Sequence, residues 1–289
     1  MKKILITGAD SYVGTSFENY IKQFDLYQVD TIDMRTPQWK EISFSDYDVV
    51  FHVAGIAHSD MGKISDERKK LYYDVNTKLA IDTANKAKLD GVKQFIFMSS
   101  ASVYGESAPI GKKKVISKDT PFNPSNAYGE SKVLAEKAIE EIQDDSFKVV
   151  VLRPPMIYGK NCKGNYPTLS KLALKLPFFP AVENERSMLY IGNLTEFVRL
   201  MIDNDEQGVF FPQNREYTNT SEIVKIIRGV NGKKMRLVRG FSWALKILGK
   251  FTGMVNKAFG NLSYDMRLSE YKDDYRKHSL EESIKLTEG

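Results

Sequence analysis

Two short stretches carry the residues best suited to chemistry: FMSSASVYG, from Phe97 to Gly105, and AYGESK, from Ala127 to Lys132. Tyr128 and Lys132 lie four apart in a segment with few breakers, 127 to 143, which reads as a helix. Residues so spaced share one helix face, so the phenol and the ammonium point into the same space. Ser100 and Ser102 follow Phe95-Ile96-Phe97-Met98, an apolar run of the kind that forms a buried parallel strand. Strands of this type deliver their C-terminal ends to the ligand crevice of an open α/β sheet. A hydroxyl, a phenol and an ammonium brought together there can hold an alcohol or ketone oxygen and move its proton. Of 15 tyrosines, only Tyr128 has a lysine four residues later. One such pair in a lysine-rich chain is near chance, and its weight comes from the order of the motifs around it.

The elements that must position this trio begin at the N-terminus. Lys3 to Thr7 reads as a short strand and 15 to 24 as a helix, with Gly8-Ala9-Asp10-Ser11-Tyr12-Val13-Gly14 between them. A strand, a glycine-bearing turn and a helix N-terminus in that order form the seat of a dinucleotide pyrophosphate. Gly8 permits the tight turn and Gly14 the close packing of helix on strand. Ser11 stands where the usual GxxGxxG pattern has its middle glycine, so the approach to phosphate must tolerate a Cβ. The second strand, 27 to 33, ends at Asp33. A carboxylate there accepts hydrogen bonds from both adenosine ribose hydroxyls and repels a 2′-phosphate, favouring NAD over NADP. Arg35 pulls the other way, since a nearby arginine can take a 2′-phosphate.

Further along, 39 to 44 reads as a curtailed third strand, and 49 to 54 as a buried strand ending at Ala54 and Gly55 in the crevice. His52 lies inside that run as a core histidine, whereas His58, in the loop beyond, can reach a substrate. The stretch 67 to 89 carries Leu71, Val75, Leu79 and Ala84 at helical spacing. Asn76, within it, can bond either nicotinamide-side groups or main chain near the strand ends. The strand 147 to 152 ends in Arg153-Pro154-Pro155, and the two prolines force the chain out of the sheet. Beyond it the alternation loosens: a loop at 161–165, a helix at 169–176, and Pro177 to Pro180 blocking regular structure. Asn193 caps a helix, 194–202, with Glu196 completing a capping box. A strand at 208–212 and helices at 221–229 and 280–287 follow. The stretch 241–259, apolar with Lys246, Lys250 and Lys257, reads as a helix covering a small lobe or a dimer face rather than as a membrane-surface helix.

These elements predict an α/β protein with a Rossmann-type doubly wound parallel sheet and a smaller, mostly helical C-terminal substrate lobe. The expected domains interleave: 1–155 with 187–212 for the cofactor, and 156–186 with 213–289 for the substrate. With 289 residues, 42% of them hydrophobic, the chain can fill such a core. A net charge of +5 compels no nucleic-acid partner and suits an anionic small substrate. The lone cysteine, Cys162, excludes an intrachain disulfide, and the three scattered histidines suggest no metal site. No run reaches the about 18 apolar residues of a transmembrane helix. The N-terminal apolar run is too short for a signal peptide. A reducing, cytoplasmic setting is expected.

Taken together, the motifs resemble the extended short-chain dehydrogenase/reductase family, in its nucleotide-sugar epimerase/dehydratase branch. The matching stretches are TGADSYVG (Thr7 to Gly14), DVVFHVAG (Asp48 to Gly55), FMSSASVYG, AYGESK, LRPPMIYG (Leu152 to Gly159) and ERSMLYIGNL (Glu185 to Leu194). The resemblance covers most of residues 1 to 205 and fades beyond. It implies Tyr128 as acid/base, Lys132 as the ligand of the nicotinamide ribose that lowers the tyrosine pKa, and Ser100 as the group orienting the sugar oxygen. It places Gly8, Ser11, Tyr12, Val13 and Gly14 at the pyrophosphate, Asp33 at the ribose, and Ala54, Gly55, Asn76 and Pro154 along the cofactor. For the substrate it implies Ser102 and His58 near the sugar, and Arg186 and Asn165 on the nucleotide diphosphate. Two departures stand out: the substrate-facing asparagine of many UDP-glucose 4-epimerases is lost at Arg153-Pro154-Pro155-Met156, and no aspartate meets adenine after the third strand.

The chemistry constrains the reading independently. A tyrosine near pKa 10 is a poor base at neutral pH. A cation at i+4 and the positive charge of an oxidised nicotinamide favour its phenolate. Phenolate Tyr128 then takes the proton of a sugar 4-hydroxyl, or the phenol protonates a 4-keto sugar in the reverse sense. Both a 4-epimerase, acting through a transient 4-keto sugar, and an NAD(P)H-dependent 4-keto reductase use these residues. The leading expectation is an NAD-dependent epimerase of a UDP-hexose or UDP-N-acetylhexosamine in surface polysaccharide precursor synthesis, with a homodimer among the assemblies allowed. Ala101 and Ser102, where a dehydratase needs an added acid/base pair, argue against elimination. A non-catalytic NAD(P)-sensing protein is the alternative from another class.

Overall fold

The computed structural model describes residues 1–56, 64–240, 245, 247, 249 and 253–289. His58 and most of 241–252 lie outside the described residues. The chain divides into two compact units, Met1–Gly105 with Pro121–Pro154 and Leu194–Pro212, and Glu106–Thr120 with Pro155–Asn193 and Gln213–Gly289. Residues 106–120 and 187–193 thus pack within the second unit, where the sequence pattern had placed them in the first.

The first unit is built on a six-stranded sheet. In spatial order its strands are Gly208–Phe210, Lys148–Leu152, Gln94–Met98, Val49–His52, Lys2–Thr7 and Tyr27–Ile32, and every pairing is parallel. Parallel strands covered on both faces read as continuous apolar runs, and all five residues of Gln94–Met98 are buried. The chain leaves Lys2–Thr7 toward one edge and returns to pair Val49–His52 on its other side. That reversal of strand order creates the crevice where open α/β sheets bind ligands.

The expected third strand is absent. Pro37–Glu41 forms a single 3₁₀ turn with Pro37 at its start, where a fixed φ and a missing N–H suit a helical turn better than a ladder. Trp39 and Phe44 instead stack in the core, with centroids 6.5 Å apart. The long expected helix is broken into Asp66–Tyr72, a π-helical stretch Tyr73–Lys78, and Leu79–Leu89. The helix that carries Tyr128 runs Ala127–Glu140, capped by Asn126, whose Oδ1 accepts from Gly129 N at 3.0 Å.

The second unit holds three parallel two-stranded ladders: Met156–Tyr158 with Met188–Tyr190, Phe178–Pro180 with Arg236–Val238, and Val115–Ile116 with Ser263–Tyr264. The stretch 178–180, expected to be irregular, is therefore paired. Its helices include Asn165–Lys175, Thr220–Val230 and Leu280–Glu288, the last opened by a capping box of Ser279 and Glu282. Asn193 is not a cap. It lies inside the helix Ile191–Asp203, and its buried Nδ2 donates to Asn214 Oδ1 and to the His278 carbonyl, both at 3.1 Å. Glu196 accepts from Tyr20 and Arg199 rather than completing a box.

Candidate functional site

At the C-terminal end of the strand Lys2–Thr7 the chain turns through Gly8 at φ +104°. A Cβ there would come within 2.8 Å of Ala54 N, so this crossing of two strand ends requires glycine. The helix begins at Tyr12, three residues earlier than its sequence pattern suggested. Ser11 is its N-cap, with φ −72°, and its Oγ accepts from Gly14 N at 3.1 Å. A serine in place of the middle glycine is thereby explained: the backbone has no need of a positive φ, and the side chain closes the first turn. The first turn carries no acidic residue, which leaves the positive end of the helix dipole available to an anion.

Asp33 follows the second strand and is clasped by Arg35, Nη2 to Oδ2 at 2.6 Å and Nε to Oδ1 at 2.9 Å. Arg35 also lies 3.6 Å from Asp10. The guanidinium holds the Asp33 carboxyl below its ordinary range. The same group that could take a 2′-phosphate is thus engaged by two carboxylates.

Tyr128, Lys132 and Ser100 converge at the end of the strand Gln94–Met98. Lys132, 5% exposed, donates from Nζ to the Met98 carbonyl at 2.7 Å and lies 4.6 Å from the centre of the Phe97 ring. Burial pulls its pKa down to about 8, opposed by the charge of Glu136. The Tyr128 phenol is pushed above 10 by desolvation, partly offset by a hydrogen bond with Ser100. The Lys132 ammonium is turned to the Met98 carbonyl in the unliganded protein. Ser100 Oγ caps the turn Ala101–Tyr104, accepting from Ser102 N at 3.1 Å and donating to Ser102 Oγ at 3.1 Å. Ser102 therefore supports Ser100. Gly129 lets the Tyr128 helix approach this turn, since a Cβ on it would lie 2.6 Å from the Ser102 carbonyl.

The NAD dependent epimerase/dehydratase family matches residues 4–211. The chain belongs to this family. It is similar to a UDP-glucose 4-epimerase of Vibrio cholerae, at 30% identity over 92% of this chain and 88% of that protein. It is also similar to the N-acetyl-alpha-D-glucosaminyl-diphospho-ditrans,octacis-undecaprenol 4-epimerase of Escherichia coli O157:H7, at 28% identity over 80% of this chain and 73% of that protein. Among solved structures, a UDP-glucuronic acid 4-epimerase from Bacillus cereus in complex with NAD shares the fold, with a TM-score of 0.75 over 99% of this chain and 97% of that chain at 18% identity. No helix among the described residues is long and apolar enough to cross a membrane, and no cluster of metal-binding side chains occurs among them.

For a family that uses NAD, the residues at the crevice fit the cofactor. The tight Gly8 turn, the uncharged first turn after Ser11, the carboxylate of Asp33 and the glycine at 55, whose Cβ would sit 3.6 Å from Lys132 Nζ, form a continuous edge of strand ends. Of the two partners open to Asn76, the structure shows the main chain. The side chain is fully buried, its Oδ1 accepts from Ile56 N at 2.8 Å, and its Nδ2 donates to the Ile56 carbonyl and to Ser131 Oγ, each at 3.2 Å. The π-helical stretch Tyr73–Lys78 carries this amide, which holds the main chain of Ile56, next to Gly55. Pro154 likewise contributes its carbonyl to Ala101 N, at 2.9 Å. His52 is a core residue, bonded to Thr7 Oγ1 through Nδ1 at 2.7 Å and stacked between Phe95 and Phe97.

In the second unit, Arg186 is enclosed, donates from Nη1 to the Gly260 carbonyl at 3.1 Å, and has its pKa lowered by burial to about 10. Among the described residues no carboxylate pairs with it. Asn165 opens the helix Asn165–Lys175, behind Gly164 at φ +98°, rather than lying in a loop. Sequence reasoning missed Ser99, Glu136, Arg153 and Tyr104, which are joined beneath the trio. The available signal was spacing: Glu136 continues the four-residue steps of Tyr128 and Lys132.

Proposed function

We propose that this family member is a 4-epimerase of a nucleotide-diphosphate sugar, a UDP-hexose or UDP-N-acetylhexosamine, supplying surface polysaccharide precursors in the cytoplasm. The observation that carries the reading is the buried Lys132, bonded to the Met98 carbonyl at 2.7 Å, one helical turn from Tyr128 and beside the strand end that leads to Ser100. Both relatives quoted above are named as 4-epimerases.

Ser100 holds the sugar 4-oxygen, and Tyr128 takes its proton and later returns it. Lys132 and Asp33 are the residues that would hold the cofactor's two riboses, Lys132 at the nicotinamide end in exchange for Met98 and Asp33 at the adenosine end. When bound, NAD supplies a hydride acceptor and donor for C4 and a positive ring that favours the Tyr128 phenolate. Arg186 binds the diphosphate: a half-buried guanidinium with no carboxylate paired to it among the described residues favours an anionic ligand. Asn165 donates its amide to the same diphosphate.

The test is incubation with UDP-glucose or UDP-N-acetylglucosamine and NAD, with N-acetylglucosaminyl-diphospho-undecaprenol as a further arm. Inversion at C4 without net NADH supports the reading. Stoichiometric consumption of NAD(P)H with a 4-keto sugar would instead make it a reductase, and bound cofactor without turnover a sensor. Tyr128→Phe should abolish turnover while leaving NAD affinity within about twofold, since only a hydroxyl is lost. Retained turnover in that variant would refute the assigned role.

A further inference from the structure

Glu136 has no accessible surface, yet residues at two strand ends reach it. Ser99 Oγ donates to its carboxylate. Arg153, at the end of the strand Lys148–Leu152, donates to Oε2 from Nη2 at 2.6 Å and from Nε at 3.0 Å. Arg153 also donates from Nη1 to Tyr104 OH at 2.7 Å, and its guanidinium lies over the rings of Phe122 at 4.7 Å, Tyr104 at 5.6 Å and Phe211 at 5.6 Å. Arginine suits this place because its planar fork matches a carboxylate and its faces stack on rings.

A second pattern joins this pair to the site. Two successive residues of one strand exit are held by two successive turns of one helix face: the Met98 carbonyl takes Lys132 and the Ser99 hydroxyl binds Glu136, next to Ser100. When Lys132 leaves Met98 for the cofactor, Glu136 is the anchor that remains on the strand exit.

We propose that Glu136, paired with Arg153, is the positioning residue of the site: it pins the strand exit that carries Ser100, and it stands one helical turn from the buried Lys132 ammonium as its counter-charge. The role rests on the catalytic reading of Lys132 given above. Desolvation favours a neutral amine, and Glu136 is the carboxylate that opposes it. The other titratable groups around the pair do not replace it. His52, on the neighbouring strand, is held near 3 by burial and by the Lys132 charge, so it stays neutral. Tyr104 and Tyr128 are both pushed up and stay uncharged in the unliganded protein. Glu140, one turn further along the helix, is raised by burial and by Glu136 itself.

The experiment is a pH titration of the unliganded protein labelled with [ε-¹³C]lysine, following Lys132 by NMR and assigning it with Lys132→Met. In Glu136→Gln the Lys132 pKa falls by roughly one unit. In Arg153→Gln it rises, because the carboxylate is unmasked. In the double variant, a neutral amide pair, it lies between the two. The pH profile of kcat moves the same way in each. Should Glu136→Gln fail to fold, the sign of the Arg153→Gln shift decides. A Lys132 pKa unchanged across the folded variants, or moved in the same direction by both single changes, would overturn the proposal. Because the titration needs no substrate, an error in the proposed substrate removes turnover but leaves these shifts in place.

Discussion

Two of the first unit's arginine–carboxylate pairs share their closest distance and differ in setting. Arg153–Glu136 and Arg35–Asp33 both close at 2.6 Å. In the first, the side chains are 10% and 0% exposed; in the second, 73% and 42%. The buried pair has been taken out of water and compensated by Ser99, Tyr104 and three aromatic rings. Removing one partner there strands a charge in low dielectric. The exposed pair is screened on all sides and does little for stability. Its arginine instead holds two exposed carboxylates, Asp33 and Asp10, and Asp33 is the group proposed above for the adenosine ribose. The same chemical motif is thus buried and compensated in one place and left open to water in the other.

The largest expected effect tests the first half of that contrast. Glu136→Ala should lower unfolding free energy by about 3–5 kcal/mol in urea denaturation, the usual cost of an orphaned buried partner. Glu136→Leu with Arg153→Met, which removes both charges, should recover most of the loss and still lack activity. A double variant no more stable than the single one would mean that the pair acts through something other than charge.

A second test concerns His52, a buried titratable group without a charged partner. Burial holds its pKa near 3 against an ordinary 6.5. The unfolded chain therefore binds the proton first as pH falls, and stability declines between pH 6.5 and 3 at up to about 1.4 kcal/mol per unit. His52→Gln should flatten that part of the Tm–pH curve, whereas an unchanged slope would place the acid sensitivity elsewhere.

The smaller effects belong to the exposed pair. Asp33→Ala should weaken NAD by roughly tenfold, the worth of a charge-assisted hydrogen bond to the ribose, and NADP by less. Equal loss for both cofactors in fluorescence titration would undo the selectivity argument. Arg35→Met should leave the urea midpoint unmoved, and a clear loss of stability would erase the contrast between the two pairs.

Much of this site was legible in the sequence because its signals are local. The apolar run before Ser99, the four-residue step from Tyr128 to Lys132, and the turn between Gly8 and Gly14 each follow from one element's own periodicity. What escaped notice depends on distant partners. Trp39 and Phe44 look like strand residues until Pro37 starts a turn and the core takes both rings. Asn76 could bond cofactor or main chain, and only the π-helical stretch, unmarked by any residue pattern, settles its direction toward Ile56. Asn193 has the composition of a cap but is consumed by Asn214 and His278. Arg153 reads as a strand terminator, and nothing near it in sequence announces Glu136 as its partner.

The central claim is that Tyr128 and Ser100 work on one carbon–oxygen bond while the hydrogen at C4 never leaves the protein. Turnover of a UDP-sugar in deuterium oxide, read by NMR at C4 of the inverted product, tests it directly. The account predicts product of opposite C4 configuration with protium fully retained at that carbon. Solvent deuterium at C4 would contradict it.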